Sequence, residues 1–76
     1  MIINEFQKNT NEKIRVELSK FKGKQYLGFR ILFKDEKDDS WKYTKKGITI
    51  SVDLVDELKK SIDKAASQIY ESLPGI

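Results

Sequence analysis

The residues of this chain best able to do chemistry are cations interleaved with aromatic rings. Lys20-Phe21-Lys22-Gly23-Lys24 sets three ammonium groups around one phenyl ring at a glycine-marked turn. Lys24, Tyr26 and Arg30 follow at one parity, and Trp41-Lys42 and Lys45-Lys46 add another ring and three more cations. A single-stranded nucleic acid offers two generic features, a line of phosphates and unstacked base faces. Lysine and arginine suit the first and flat rings the second, each stacked base contributing about 1–3 kcal/mol. Phe21, on a turn, has few ways to be buried. Tyr26 shares its parity with bases, and Trp41 reads either as a ligand contact or as a cover over the open side of a thin sheet. Lysine-rich turns are also common as plain soluble surface. Arg30 is more telling because it stands mid-strand beside Gly28.

Other chemistry is poorly supplied. Histidine and cysteine are absent, which removes the usual bases, nucleophiles, disulfides and zinc ligands. Asp38-Asp39 lies in a polar run with Lys37 and Lys42 and reads as a solvated turn. Gly23 and Gly28 are too far apart, and lack the strand-to-helix setting, for a phosphate loop. Nothing in the local sequence marks a lysine as a nucleophile. A non-enzyme with no cofactor or metal is expected.

The elements that must position these residues follow from periodicity. Ile14, Val16 and Leu18 alternate with Arg15, Glu17 and Ser19, the mark of a half-buried strand. Gly23 suits a tight hairpin turn. The next strand spans about Lys24 to Lys34, with Leu27, Phe29, Ile31 and Phe33 on a core parity and Lys24, Tyr26, Gly28, Arg30, Leu32 and Lys34 on the other. Gly28 within it signals a close approach or a bend. After the polar run 35–40, Trp41–Thr44 reads as a third strand, Lys45-Lys46-Gly47 as a turn, and Ile48–Ile50 as a fourth strand. The period then changes. Val55, Leu58, Ile62, Ala65, Ile69 and Leu73 form one stripe of a helix. Ser51 is its N-cap and Pro74-Gly75 its stop. The expected fold is α+β, a four-stranded antiparallel curved sheet followed by one C-terminal helix (ββββα).

At 76 residues the chain is one small domain, read as an N-terminal arm over 1–12 and a binding domain over 13–76. Its core is thin, and a partner subunit is the available staple. A homodimer is expected, with Leu58, Ile62, Ala65 and Ile69 at the interface. Net charge is only +3, but Lys13 to Gly47 holds eleven basic residues against five acids, whereas the stretch from Ile48 holds three against five. The middle of the chain is thus the surface for an anionic partner. No signal-peptide shape or membrane span is seen. The expected location is the cytoplasm or nucleoid, in association with DNA (the nucleus if eukaryotic).

Phe21-Lys22-Gly23-Lys24, Leu27-Gly28-Phe29-Arg30 and Lys45-Lys46-Gly47-Ile48-Thr49-Ile50, followed by a terminal helix, resemble the transcriptional coactivator family called positive cofactor four. The resemblance runs from about Lys13 to Ala66. It implies a dimer whose curved sheets form two channels for antiparallel single strands, with the helices paired at the interface. It also implies that Phe21 stacks on bases, that Lys22 and Lys24 lie on phosphates, and that Arg30 and Lys46 match the family's mid-strand arginine and motif lysine. Phe33 falls where the family has a stacking tryptophan, although its parity is that of the core. Two departures stand out. The loop before Lys46 is one residue longer than in eukaryotic members, and Ser19 replaces an arginine. The absence of a serine-rich arm points to a bacterial or phage member.

The expected function is therefore sequence-tolerant binding of single-stranded or melted DNA in transcription regulation, replication, recombination or repair. The binding residues would be Phe21, Lys22, Lys24, Tyr26, Arg30, Phe33, Trp41, Lys42, Lys45 and Lys46. The alternative is a protein-interaction module that recruits transcription or replication machinery. RNA is a third candidate ligand, since no residue evidently reads the 2′-hydroxyl.

Overall fold

The alternating runs of 14–18 and 24–34 become the two central strands of one sheet. The computed structural model describes residues 1–72. Four antiparallel strands lie side by side in chain order: β1 (Ile2–Gln7), β2 (Glu12–Phe21), β3 (Lys24–Asp35) and β4 (Ser40–Ser51). A 3-10 turn over Val52–Leu54 leads into α1 (Val55–Ser72). This is the expected α+β order of four antiparallel strands and one C-terminal helix. Ser51 caps the transition, its hydroxyl accepting from the Asp53 amide, and Asp53, Asp56 and Glu57 occupy the positive end of the helical segment. Leu73 of the expected stripe and the Pro74-Gly75 stop lie outside the described residues.

Two strands differ from the sequence reading. Residues 2–7, expected within an arm, form β1 and pair with β2 from Ile2↔Glu17 to Gln7↔Lys13, with an irregularity between Ile2 and Asn4. The connection is an Asx turn in which Asn9 Oδ1 accepts from the amides of Asn11 and Glu12 at 3.0 and 2.8 Å. The expected third and fourth strands are one strand, β4, and the expected turn at 45–47 is a bulge within it. Arg30 pairs with Gly47 and Leu32 with Tyr43, so Thr44, Lys45 and Lys46 together face Ile31.

The β2–β3 register is regular from Glu12↔Phe33 to Phe21↔Lys24. One face of the sheet is apolar, carrying Phe6, Ile14, Val16, Leu18, Leu27, Phe29, Ile31, Phe33, Ile48 and Ile50. The other carries Glu5, Lys13, Arg15, Glu17, Phe21, Lys24, Tyr26, Arg30, Trp41 and Tyr43. Leu32, at 1% exposure, is the one fully buried large side chain among the described residues, and it lies on the polar face. Its register partners are Lys13 and Tyr43, so the stems and rings of polar residues shield it. The apolar face stays open. Ile48 is 56% exposed, and on α1 Ile62 is 55% exposed. The Cα radius of gyration is 15.4 Å, against about 11 Å for a compact chain of this length. Among the described residues, no helix is long and apolar enough to cross a membrane.

Candidate nucleic-acid interface

The β2–β3 hairpin turns through only two residues, both in the left-handed region, Lys22 at φ 51° and Gly23 at φ 80°. This primed geometry matches the twist of the flanking strands. It holds Phe21 and Lys24 opposite each other on the polar face, with Phe21 64% exposed. Lys22 Nζ stands 5.4 Å from the Phe21 ring centroid. Tyr26 lies on the same face, half-buried, across from Ser19 and Ser51. The hairpin therefore joins Phe21, Lys22, Lys24 and Tyr26 into one cluster of two rings and two cations. Gly28, read as a close approach or a bend, is not closely approached within the chain: an added Cβ would stand 3.7 Å from Thr49 Oγ1, an ordinary contact.

Arg30, Lys45 and Lys46 form a second group midway along the sheet. Arg30 is half-buried, and its Nη2 donates to the Thr44 carbonyl at 2.9 Å. Lys45 and Lys46 are exposed on the β4 bulge. Among the described residues, neither these two lysines nor Lys22 and Lys24 join an ion pair. Their charges stay available to an anion.

Phe33, Trp41 and Lys42 lie at the far end, roughly 30 Å along β3 from the hairpin tip. Phe33 and Lys42 face each other on the apolar side, so no twist in β3 brings Phe33 onto the side of Phe21. Lys42 Nζ pairs with Asp35 at 2.8 Å and Asp38 at 3.0 Å, contacts that raise its pKa, Asp35 first. Lys34 likewise pairs with Asp39 at 3.0 Å. The 35–40 loop thus holds its own cations. Asp38 is pulled down to about 2, chiefly by the Ser40 hydroxyl at 2.6 Å and then by Lys42. A depressed carboxyl stabilises the loop above its ordinary pKa, near 3.8, and loses that effect as pH falls towards 2. A carbon-detected NMR titration of Asp38 should show a midpoint near 2, shifted upward by Ser40→Ala.

The sequence reading missed a polar-face network around Leu32. Glu5 of β1 binds Lys13 at 2.9 Å and the Arg15 Nε. Lys13, then Arg15, holds the Glu5 carboxyl below its ordinary range. Lys13 Nζ covers the Trp41 ring at 4.7 Å, and Arg15 covers Tyr43 at 5.3 Å while donating to its hydroxyl at 2.8 Å. Tyr43 in turn donates to Glu17 at 3.2 Å. One face of Trp41 is therefore occupied by a cation of its own chain. The shared parity of Lys13, Arg15 and Glu17 was visible in sequence, but their rings and carboxylate come from β4 and β1.

The family described as Transcriptional Coactivator p15 (PC4) matches residues 8–61, a span that holds the hairpin cluster, the bulge lysines and the start of α1. No curated protein sequence matches the chain. Among solved structures, the chain is similar to a PC4 homolog from Burkholderia pseudomallei K96243. In the orthorhombic form the TM-score is 0.77 at 24% identity, covering 87% of this chain and 88% of that one. In the tetragonal form it is 0.76 at 24% identity, covering 87% and 96%. It is also similar to the bacteriophage T5 homolog of the eukaryotic transcription coactivator PC4, implicated in recombination-dependent DNA replication. There the TM-score is 0.58 at 28% identity, covering 93% of this chain and 76% of that one. The family is one of DNA-binding and coactivator proteins that engage transcription and replication machinery, and in general it is not enzymatic. With β2 to β4, the F-K-G-K hairpin and the K-K-G-I-T-I segment all inside the matched span, the chain belongs to the p15 (PC4) transcriptional coactivator family.

Proposed function

We propose that two copies of this chain pair through their apolar faces and bind single-stranded or melted DNA with little sequence preference. The observation that carries this reading is the hairpin tip, where an exposed phenyl ring stands beside two lysines free of ion pairs. An intact duplex has its bases already stacked, so a ring held in the open favours unpaired strands. Phosphates would follow from Lys22 and Lys24 to Lys45 and Lys46 along the sheet, with Tyr26 as a second stacking ring. The 35–40 loop takes little part, because Lys42 is already paired. The T5 homolog's link to recombination-dependent replication supports a role in replication or recombination as well as transcription.

The test is an anisotropy titration of a labelled oligo-dT of about 20 nucleotides beside a duplex of equal length, at several salt concentrations. Four neutralised phosphates predict a log–log salt slope near about −3 for the single strand. Equal, weak binding to both would overturn the reading. Phe21→Ala is expected to weaken single-strand binding by about 1–3 kcal/mol and duplex binding much less. Equal losses on the two ligands would remove the stacking role.

A further inference from the structure

Arg30 and Thr44 converge on the bulge that carries Lys45 and Lys46. The Thr44 hydroxyl donates to the Ile31 carbonyl at 2.7 Å and accepts from the Lys46 amide at 3.1 Å. It therefore replaces the ladder bonds that three residues facing one would otherwise lose. The Arg30 guanidinium closes the bulge from β3 by binding the Thr44 carbonyl. Its cross-strand neighbour is Arg15, a like charge that would repel it. Arg15 is held on its own side by Glu5 and Tyr43, which leaves Arg30 to turn towards β4. On the C-terminal side the bulge ends at Gly47, at φ 140°.

From this geometry we infer that Thr44 is a positioning residue for DNA, acting through Lys45 and Lys46. The bulge is the device that aims two lysines at consecutive phosphates. This inference rests on the single-strand reading above and adds which residues set the phosphate register.

The experiment is salt-dependent oligo-dT binding by the full chain, read as a mutant cycle at a temperature where circular dichroism shows every variant folded. Thr44→Val removes both hydroxyl bonds and no charge. It should weaken binding about as much as the Lys45→Ala/Lys46→Ala pair and flatten the salt slope by up to about 1.4, two phosphates at 0.7 each. Thr44→Ser, which keeps the hydroxyl, should restore both. In the Lys45→Ala/Lys46→Ala background, Thr44→Val should have almost no further effect, because groups that act through one another are not additive. A folded Thr44→Val with wild-type affinity and slope would overturn the inference. So would a further loss of affinity on Thr44→Val in the lysine-free background, since the hydroxyl would then not act through the lysines. Failure of the wild type to bind oligo-dT would instead sink the single-strand reading itself.

Discussion

Ile62→Asp is expected to abolish assembly, leaving a monomer that sediments singly and melts without a cooperative transition. The chain by itself does not cover what it needs to cover. Among the described residues its one fully buried large side chain is Leu32, on the polar face, while Ile48 and Ile62 each lie more than half exposed. Leu58, Ile62, Ala65 and Ile69 follow one another along α1, and the sheet offers a second apolar surface at Phe6, Phe29, Ile31 and Ile48. A second copy supplies a matching surface without any further protein, and closed pairs are the commonest way for identical chains to bury such a face. Replacing a central isoleucine by a carboxylate loses its burial, about 2–5 kcal/mol, and places an unpaired charge in an apolar seam. The dimer dissociation constant should rise by about two orders of magnitude or more. Sedimentation at micromolar concentration checks this. A well-folded wild-type monomer there would overturn the paired arrangement, whatever the variant does.

Gly47→Ala has the second largest expected effect. Gly47 sits at φ 140°, and a Cβ built there would stand 2.3 Å from the Phe29 carbonyl oxygen. The obstacle is backbone in the neighbouring strand, which cannot swing aside as a side chain can. Backbone strain of this kind costs about 1–3 kcal/mol before the clash is counted. A total near 3 kcal/mol would lower the melting temperature by about 12–24 °C for a domain of this size. Thermal melts at fixed protein concentration check this, since the melting point of a dimer shifts with concentration. Lys24→Ala, an exposed position at the hairpin tip, should leave the melt unchanged within about 0.5 kcal/mol. A small loss for Gly47→Ala would mean that β3 and β4 separate at the bulge at little cost.

The sequence alone determined the features that depend on neighbours along the chain. The alternation of Ile14, Val16 and Leu18, the tight hairpin turn at Gly23, the parity of β3 and the 3–4 spacing of the α1 stripe as far as Ile69 are each local, and each survives in the fold. The aromatic and basic cluster at Phe21, Lys22, Lys24 and Tyr26 was legible for the same reason, because one hairpin builds it. What the tertiary structure decided depends on pairing between strands distant in sequence. β1 carried no visible period because an irregularity near Ile3 breaks its alternation, and only the register with β2 reveals it. Lys45-Lys46-Gly47 has the composition of a turn, yet a hydroxyl and a guanidinium hold it as a bulge inside a continuous strand. Leu32 has the parity of a surface residue and is nonetheless fully buried, because it lies in register between Lys13 and Tyr43, whose stem and ring belong to the polar-face network. Residue type and spacing set which surface a strand can offer, but its neighbours across the sheet decide which charges stay free and which are consumed in holding the fold.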